Sequence, residues 1–365
     1  MGFPARRGAL TMAGVGLIGR LDVGAAALRQ RLEVLTRQVS DGRKGPGYAD
    51  IAPEARRAVD LRAEIGRREA WQGTISRALS QTSVTQKAIE RMEAIATQFY
   101  QEAIRLDGTS TERISAVAAS ARAAMAEFAT LLNEKYAGDY VFGGTDTANP
   151  PIPDPQAVAT GGMASAIAAA VAGLGGGNAA AVAAATLSAA SSDAAGTTPF
   201  SAFLSDPAQG LGEPRRAVPA AEGERVPYGI PANRNAAASS EGETTGSWSR
   251  DVLRGLATLA AIDPSQAALG TDFTDLMATV RDGLRSALDA MGEERGALGA
   301  TEQRLEATAA RHADVTVALR TQLAGIEEVD MAATISRLQA TQTQLEASYR
   351  AISLVSGLTL TRFLA

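Results

Sequence analysis

The chain has no cysteine, a single histidine, and aromatic residues at only 4% of its 365 positions. Without cysteine there is no disulfide, no thiolate zinc site and no cysteine nucleophile. One histidine, His312, gives no imidazole pair for a metal or for a relay to a nucleophile. Few aromatics disfavour one thick core and favour helices packed along thin, alanine-rich seams. No apolar run reaches the roughly 18 residues that a membrane-spanning helix needs, so no membrane insertion is expected. A net charge of -5 and a pI near 5.2 give no general attraction to nucleic acid.

Proline is missing from two long stretches. All fourteen prolines lie at or before Pro53, between Pro150 and Pro231, or at Pro264. Glu54 to Asn149 and Ser265 to Ala365, about a hundred residues each, therefore contain no helix breaker of that kind. At the start, Arg6 and Arg7 precede a glycine-rich, mildly apolar run from Gly8 to Ile18, closed by Arg20 with no cleavage site after it. This reads as a flexible leader rather than a cleaved signal peptide, with Met12 a second candidate start.

Helical periodicity fills both arms. Leu28, Leu32 and Leu35 mark a first helix over about Val23 to Val39, ended by Ser40-Asp41-Gly42 and Gly45-Pro46-Gly47. After Pro53 a second stripe runs through Ile75, Leu79, Ile89, Met92, Ala96, Phe99, Ala103 and Leu106 to a stop at Asp107-Gly108. Thr109 and Glu112 fit a capping box for a third helix with Ile114, Val117, Ala121, Met125, Phe128 and Leu132 inward. Tyr140-Val141-Phe142 has strand character before Gly143-Gly144. The C-terminal arm repeats Leu284, Leu288, Met291, Leu298 and Leu305, then Val315, Leu319, Leu323 and Ile326. Gly283, Gly292, Gly296 and Gly299 predict a bend or break there. Asp330 can cap a last helix whose Met331, Ile335, Leu338, Gln342, Leu345, Tyr349 and Ile352 alternate four and three, a heptad seam.

The middle is different. Pro150, Pro151, Pro153 and Pro155 open it, and an Ala/Gly tract that can be helical, interrupted at Gly173 to Gly177, follows. Phe200 to Leu204 and Arg225 to Ile230 are candidate strands. Long amphipathic stripes gain stability mainly by being packed, so each arm needs the other. The expected fold is mainly α: an elongated antiparallel helical bundle or coiled-coil rod from both chain ends, with a smaller inserted lobe containing strands or local disorder. Its segments are 1–45, an N-terminal terminal-helix segment; 46–149, the first rod arm; 150–246, the variable lobe; 247–329, the second rod arm; and 330–365, the terminal helix.

No constellation points to catalysis, and neither cofactor nor metal site is expected. His312 reads as a surface residue of a charged helix. Glu293-Glu294, and Glu327-Glu328 with Asp330, read as solvated or capping acids, since adjacent acids point to different helix faces. Gly173-Leu-Gly-Gly-Gly177 lacks the Gly-Lys-Ser/Thr ending of a phosphate loop and reads as a spacer. Arg56 to Arg68 carries Asp60 and Glu64 among its bases and reads as a charged helix face rather than a nucleic-acid patch.

Leu131-Leu-Asn-Glu-Lys-Tyr-Ala-Gly-Asp-Tyr-Val-Phe-Gly-Gly-Thr-Asp-Thr-Ala-Asn-Pro-Pro151 is similar to the junction where, in flagellin-like axial proteins of the bacterial flagellum, the N-terminal arm meets the outer domain. Leu35-Thr-Arg-Gln-Val-Ser-Asp-Gly-Arg-Lys44 resembles the first-helix exit, and Pro227-Tyr-Gly-Ile-Pro-Ala-Asn233 the return from the outer domain. Ile335 to Ile352, continuing through Leu358-Thr-Leu360, resembles the terminal helix. The length and the Phe-Gly-Gly-Thr-Asp-Thr turn look more like the hook–filament junction members, the hook-associated proteins, than like filament flagellins.

The resemblance implies a non-enzymatic, extracellular structural subunit, exported through the flagellar type III apparatus without a cleaved signal peptide. It implies self-assembly and contact with flagellin and a neighbouring hook-associated protein, and handling by an export chaperone. The implied subunit interface uses Leu28, Leu32 and Leu35 at one end and Leu338, Leu345, Tyr349, Ile352, Val355, Leu358 and Phe363 at the other. A filament flagellin of the same build is the alternative. From another class, the rival is a cytoplasmic coiled-coil interaction protein.

Overall fold

Capping residues set the helix starts. Ser110 accepts from the Arg113 N–H (3.4 Å) to open helix α3 (Thr111–Leu132), Asp263 caps a 3-10 turn at Pro264–Leu269, and the Asp330 side chain accepts from the Ala333 N–H (3.0 Å). The computed structural model describes the backbone of residues 7–106 and 110–363, and side chains within 19–106 and 110–355. Asp107, Gly108 and Thr109 lie outside the described residues, so the cap of α3 is found at Ser110, one position beyond the one expected.

The fold is mainly α. The helices are α1 (Arg7–Asp41), α2 (Ala55–Arg105), α3 (Thr111–Leu132), α4 (Gly162–Ala172), α5 (Ala179–Ser191), α6 (Ala202–Ser205), α7 (Trp248–Ala261), α8 (Thr271–Glu327) and α9 (Met331–Phe363). Two short antiparallel hairpins complete it: β1 (Lys135–Tyr136) with β2 (Asp139–Tyr140), and β3 (Ala217–Ala221) with β4 (Glu224–Pro227). The second has a bulge between Pro219 and Ala221.

Several expectations are corrected. The described backbone is helical from its first residue, Arg7, so the leader from Gly8 to Ile18 is helix rather than flexible chain. Of the expected Tyr140–Phe142 strand only Tyr140 pairs, in a strand that starts at Asp139; Val141 and Phe142 are buried beyond it. The Phe200–Leu204 strand is instead the short helix α6, because Ser201 accepts from the Leu204 N–H (3.3 Å) and starts a turn. The glycines of α8 do not break it: a Cβ at Gly283, Gly292, Gly296 or Gly299 would meet nothing within 4 Å, and the helical ladder is continuous. The Ala/Gly tract forms α4 and α5. The window Pro155–Ala172 is long and apolar enough by composition to cross a membrane, contrary to the expectation that no such run exists. It is broken into a 3-10 turn at Pro155–Ala157 and the eleven-residue α4. Met163, Ile167 and Val171 of α4 are buried, and the helix packs on α7 and α5.

Residues 70–313 form one compact unit, and 1–69 with 314–365 another. The first is built around α7, a helix the hydrophobic pattern missed. Every residue from Trp248 to Ala260 is buried, three charged ones included. Arg250 and Arg254 are tolerated there because their guanidinium groups are consumed by acceptors. Arg250 donates to the Asn233 (3.0 Å) and Ala190 (3.1 Å) carbonyls and pairs with Asp193. Arg254 donates to the Ala183 carbonyl, the Thr186 hydroxyl and the Glu243 carbonyl at 2.9–3.1 Å. Trp248 meets Phe128 and Phe142 edge-on, with ring centres 6.3 and 6.4 Å away.

Two quoted motifs meet in this unit. The Ala232 N–H donates to the Phe142 carbonyl (2.9 Å), joining the outgoing and returning segments. The Asn133 side-chain amide and the Ile152 backbone exchange two hydrogen bonds (2.7 and 2.9 Å), closing the outgoing turn. Gly229 must be glycine, since a Cβ would lie 2.7 Å from Cβ of Arg216.

His312 is not at the surface as expected. It is buried, its Nε2 lies 2.7 Å from the Ala220 carbonyl, and its ring sits 5.2 Å from that of Trp71. The β3–β4 hairpin docks on α2 and α8 at this point, through Ile75, Ala78 and Leu305 and a Tyr228 hydroxyl donating to Gln81 (3.2 Å). Burial raises the Tyr228 pKa, opposed by Arg216.

Candidate assembly surface

The other unit holds the residues that the sequence assigns to an interface. Helices α1 and α9 pack against each other, and their connections fix the direction. Arg43 and Glu328 form an antiparallel bridge, the Lys44 N–H donates to the Glu327 carbonyl (2.8 Å), and the Val329 N–H to the Gly42 carbonyl (3.0 Å). Gly42, at φ 70°, ends α1 in the left-handed conformation that favours glycine. The end of α1 thus meets the start of α9, and the helices run antiparallel. Ile51, Ala58, Leu61 and Ile326 form a small core nearby, and Arg62 pairs with Glu327 (2.8 Å) while lying over the Tyr48 ring.

Along α1 the covered line is Leu21, Ala25, Leu28, Leu32, Leu35 and Val39, alternating four and three, with Gln38 half-buried beside its end. Ala25 and Leu35 are buried, and the others are half-buried. On α9 the covered line is Thr334, Leu338, Thr341, Leu345, Ser348, Ile352 and Val355. The sequence placed Ile335, Gln342 and Tyr349 on this line; the structure puts Thr334, Thr341 and Ser348 there, one residue earlier in each heptad. Small side chains let two backbones approach where Gln and Tyr would hold them apart. The threonine hydroxyls do not cost an unsatisfied group: Thr334 donates to the Asp330 carbonyl and Thr341 to the Arg337 carbonyl, both at 2.7 Å.

The displaced residues face outward beside the seam. Ile335 is 39% exposed and Tyr349 43%, each one heptad from Gln342, with Met331 at 40% before them. Leu354 (69%), Val23 (73%) and Val34 (46%) lie on the far sides of their helices. Of the expected interface residues, Leu28, Leu32, Leu35, Leu338, Leu345, Ile352 and Val355 are therefore brought together within one chain, and Tyr349 is left out. The side chains of Leu358 and Phe363 lie outside the described residues. Sequence reasoning missed Met331 and Ile335 as exposed apolar positions; the signal was the heptad itself, which admits two seams one residue apart.

Among the described residues, no group of three or more His, Asp or Glu could hold a metal ion. Glu294, expected in solvent, is buried and accepts the successive N–H groups of Ala236, Ala237 and Ala238. Glu293 accepts that of Ser239 (3.0 Å). Both carboxylates pin a loop, which is a structural task.

Residues 282–364 match the family model described as the bacterial flagellin C-terminal helical region. The matched stretch contains all of α9 that the structure describes and most of α8. No curated protein matches the chain significantly. The match supports a flagellin-like axial protein, a structural component of the extracellular flagellum that assembles with other axial subunits, and points away from an enzyme.

Proposed function

We propose that this chain is a non-catalytic subunit joining flagellar hook to filament, assembling through its terminal helices α1 and α9 after type III export. One observation carries the reading: within the flagellin-like region, α9 keeps Ile335 and Leu354 exposed away from its partner helix, and Tyr349 only partly covered by it. Exposed apolar residues on more than one side of a helix pair suit a wall in which each helix touches several neighbours. Charge supports it too. From Met331 to Phe363 only Arg337, Glu346, Arg350 and Arg362 are charged, and depletion of charge marks interface cores. In that wall Leu358 and Phe363 extend the α9 contact, and an export chaperone shields the same face before secretion.

The second reading, a filament flagellin, fits the matched family model equally well. Immunogold labelling of intact flagella separates the two. A band confined to the hook–filament boundary supports the junction role, and labelling along the whole filament supports a flagellin. Antigen retained in the cytoplasm of flagellated cells would refute both and favour the coiled-coil interaction protein.

A further inference from the structure

Assembly makes no use of a strap and a buried acid in the unit formed by residues 70–313. Residues 235–246 have no regular secondary structure and are held almost wholly by polar contacts. Besides the N–H groups taken by Glu294 and Glu293, the Thr245 N–H donates to Asp251 Oδ1 (2.8 Å). Arg254 donates to the Glu243 carbonyl (2.9 Å), and the Ser286 hydroxyl to the Glu241 carbonyl (3.0 Å). The apolar side chains the strap lays on the core are only Ala236 and Ala238. Asp251, on α7, is 2% exposed, and its Oδ2 has no hydrogen-bond partner. It lines a cavity of about 10 Å³, the size of one water, with Thr186, Arg254, Thr258 and Thr279.

An ionised carboxylate with one bare, buried oxygen is costly, and its neutral form much less so. Burial accordingly pushes the Asp251 pKa up from 3.8 to about 6, against the opposing pull of the Thr245 hydrogen bonds and of Arg254 and Arg250. The charged surroundings are few. Arg250 is paired with Asp193, and Arg254 faces Glu243 of the strap. Helices α5 and α8 present the neutral Thr186 and Thr279 to the cavity, and α4 contains no charged residue. On α3, Arg122 donates to the Ala260 carbonyl at the opposite end of α7, and Glu127 is exposed.

We propose that residues 241–246 act as a pH-dependent cover, closed over Asp251 while its carboxyl is protonated and released toward solvent as it ionises. The closed state binds the proton more tightly than an open state in which Asp251 meets water. Opening therefore expels a proton, and becomes easier as pH rises through the window from 3.8 to about 6. Above that window the effect levels off. Opening would uncover the side chains of Asp251 and Arg254 together, adjacent opposite charges otherwise hidden.

Hydrogen exchange on the full chain at pH 5 and pH 7.5, corrected for intrinsic exchange, tests this. The protection of the Thr245 and Gly246 amides should fall about tenfold at the higher pH, while the amides of residues 252–260 keep theirs. In Asp251→Asn the change should vanish. Protection independent of pH in the unaltered chain, or a tenfold change that survives in Asp251→Asn, overturns the proposal. If that variant fails to fold, a carboxyl-carbon NMR titration of Asp251 decides instead. A midpoint near 6 that coincides with the loss of protection supports the cover, and one below about 4.5 removes it.

Discussion

Arg29 of α1 holds its guanidinium carbon 5.5 Å from the centre of the Tyr349 ring on α9. The contact caps the edge of the seam and leaves the rest of the ring in solvent. It explains how Tyr349 stays ordered beside the contact line without joining it. A cation over an exposed ring contributes about 0.5–1 kcal/mol, so Arg29→Ala should lower the stability of the helix pair by no more than that in a urea titration.

The two rows of α9 should respond differently to truncation. Leu345 lies half-buried against α1, so Leu345→Ala should destabilise the monomer by about 1–2 kcal/mol. Ile335→Gln touches only the exposed flank and should stay within about 0.5 kcal/mol. Thermal unfolding of the dilute subunit checks both, and equal losses would contradict the assignment of faces.

Asp330 starts α9 by accepting from Ala333. Asp330→Ala should cost about 1 kcal/mol and lower helical ellipticity, while Asp330→Asn should keep most of the stability because its side-chain oxygen still accepts.

Glu294→Ala would strand three backbone N–H groups in a part-buried loop. A loss of about 3 kcal/mol is expected from unpaired donors and a missing charged acceptor. Trp248→Ala, in the centre of the same unit, should cost about 3–5 kcal/mol. Differential scanning calorimetry measures both.

Two substitutions should stabilise, for opposite reasons. Ala137 adopts φ 52°, left-handed backbone that a side chain disfavours, so Ala137→Gly should gain roughly 1 kcal/mol. Gly292 sits in mid-helix with open space where a Cβ would go, so Gly292→Ala should gain up to about 1 kcal/mol. Denaturant midpoints would show either.

The long helices were legible because periodicity and proline placement act locally. α2, α3 and α9 carry stripes that no predicted break interrupts, whereas α8 runs on through glycines that signalled one, because its stripe is packed on both sides of them. What sequence left hidden depends on partners distant in the chain. α7 was missed because its charged residues interrupt any apolar stripe, and they are tolerated inside only once Arg250 and Arg254 find the carbonyls around α5. His312 and Glu294 read as solvated because nothing nearby in sequence shows the hairpin over one and the strap over the other. On α9 the heptad was visible but its phase was not. Choosing Thr341 over Gln342 depends on how closely α1 approaches, which side-chain size decides and hydrophobicity does not.

The absence of native cysteine makes the central claim directly measurable, since any introduced thiol is the only one. Purified Tyr349→Cys and Leu354→Cys subunits, and intact flagella carrying each variant, can be treated with a maleimide reagent. The account predicts rapid labelling of both free subunits and strong protection of both in the assembled structure. Equal reactivity before and after assembly would contradict it.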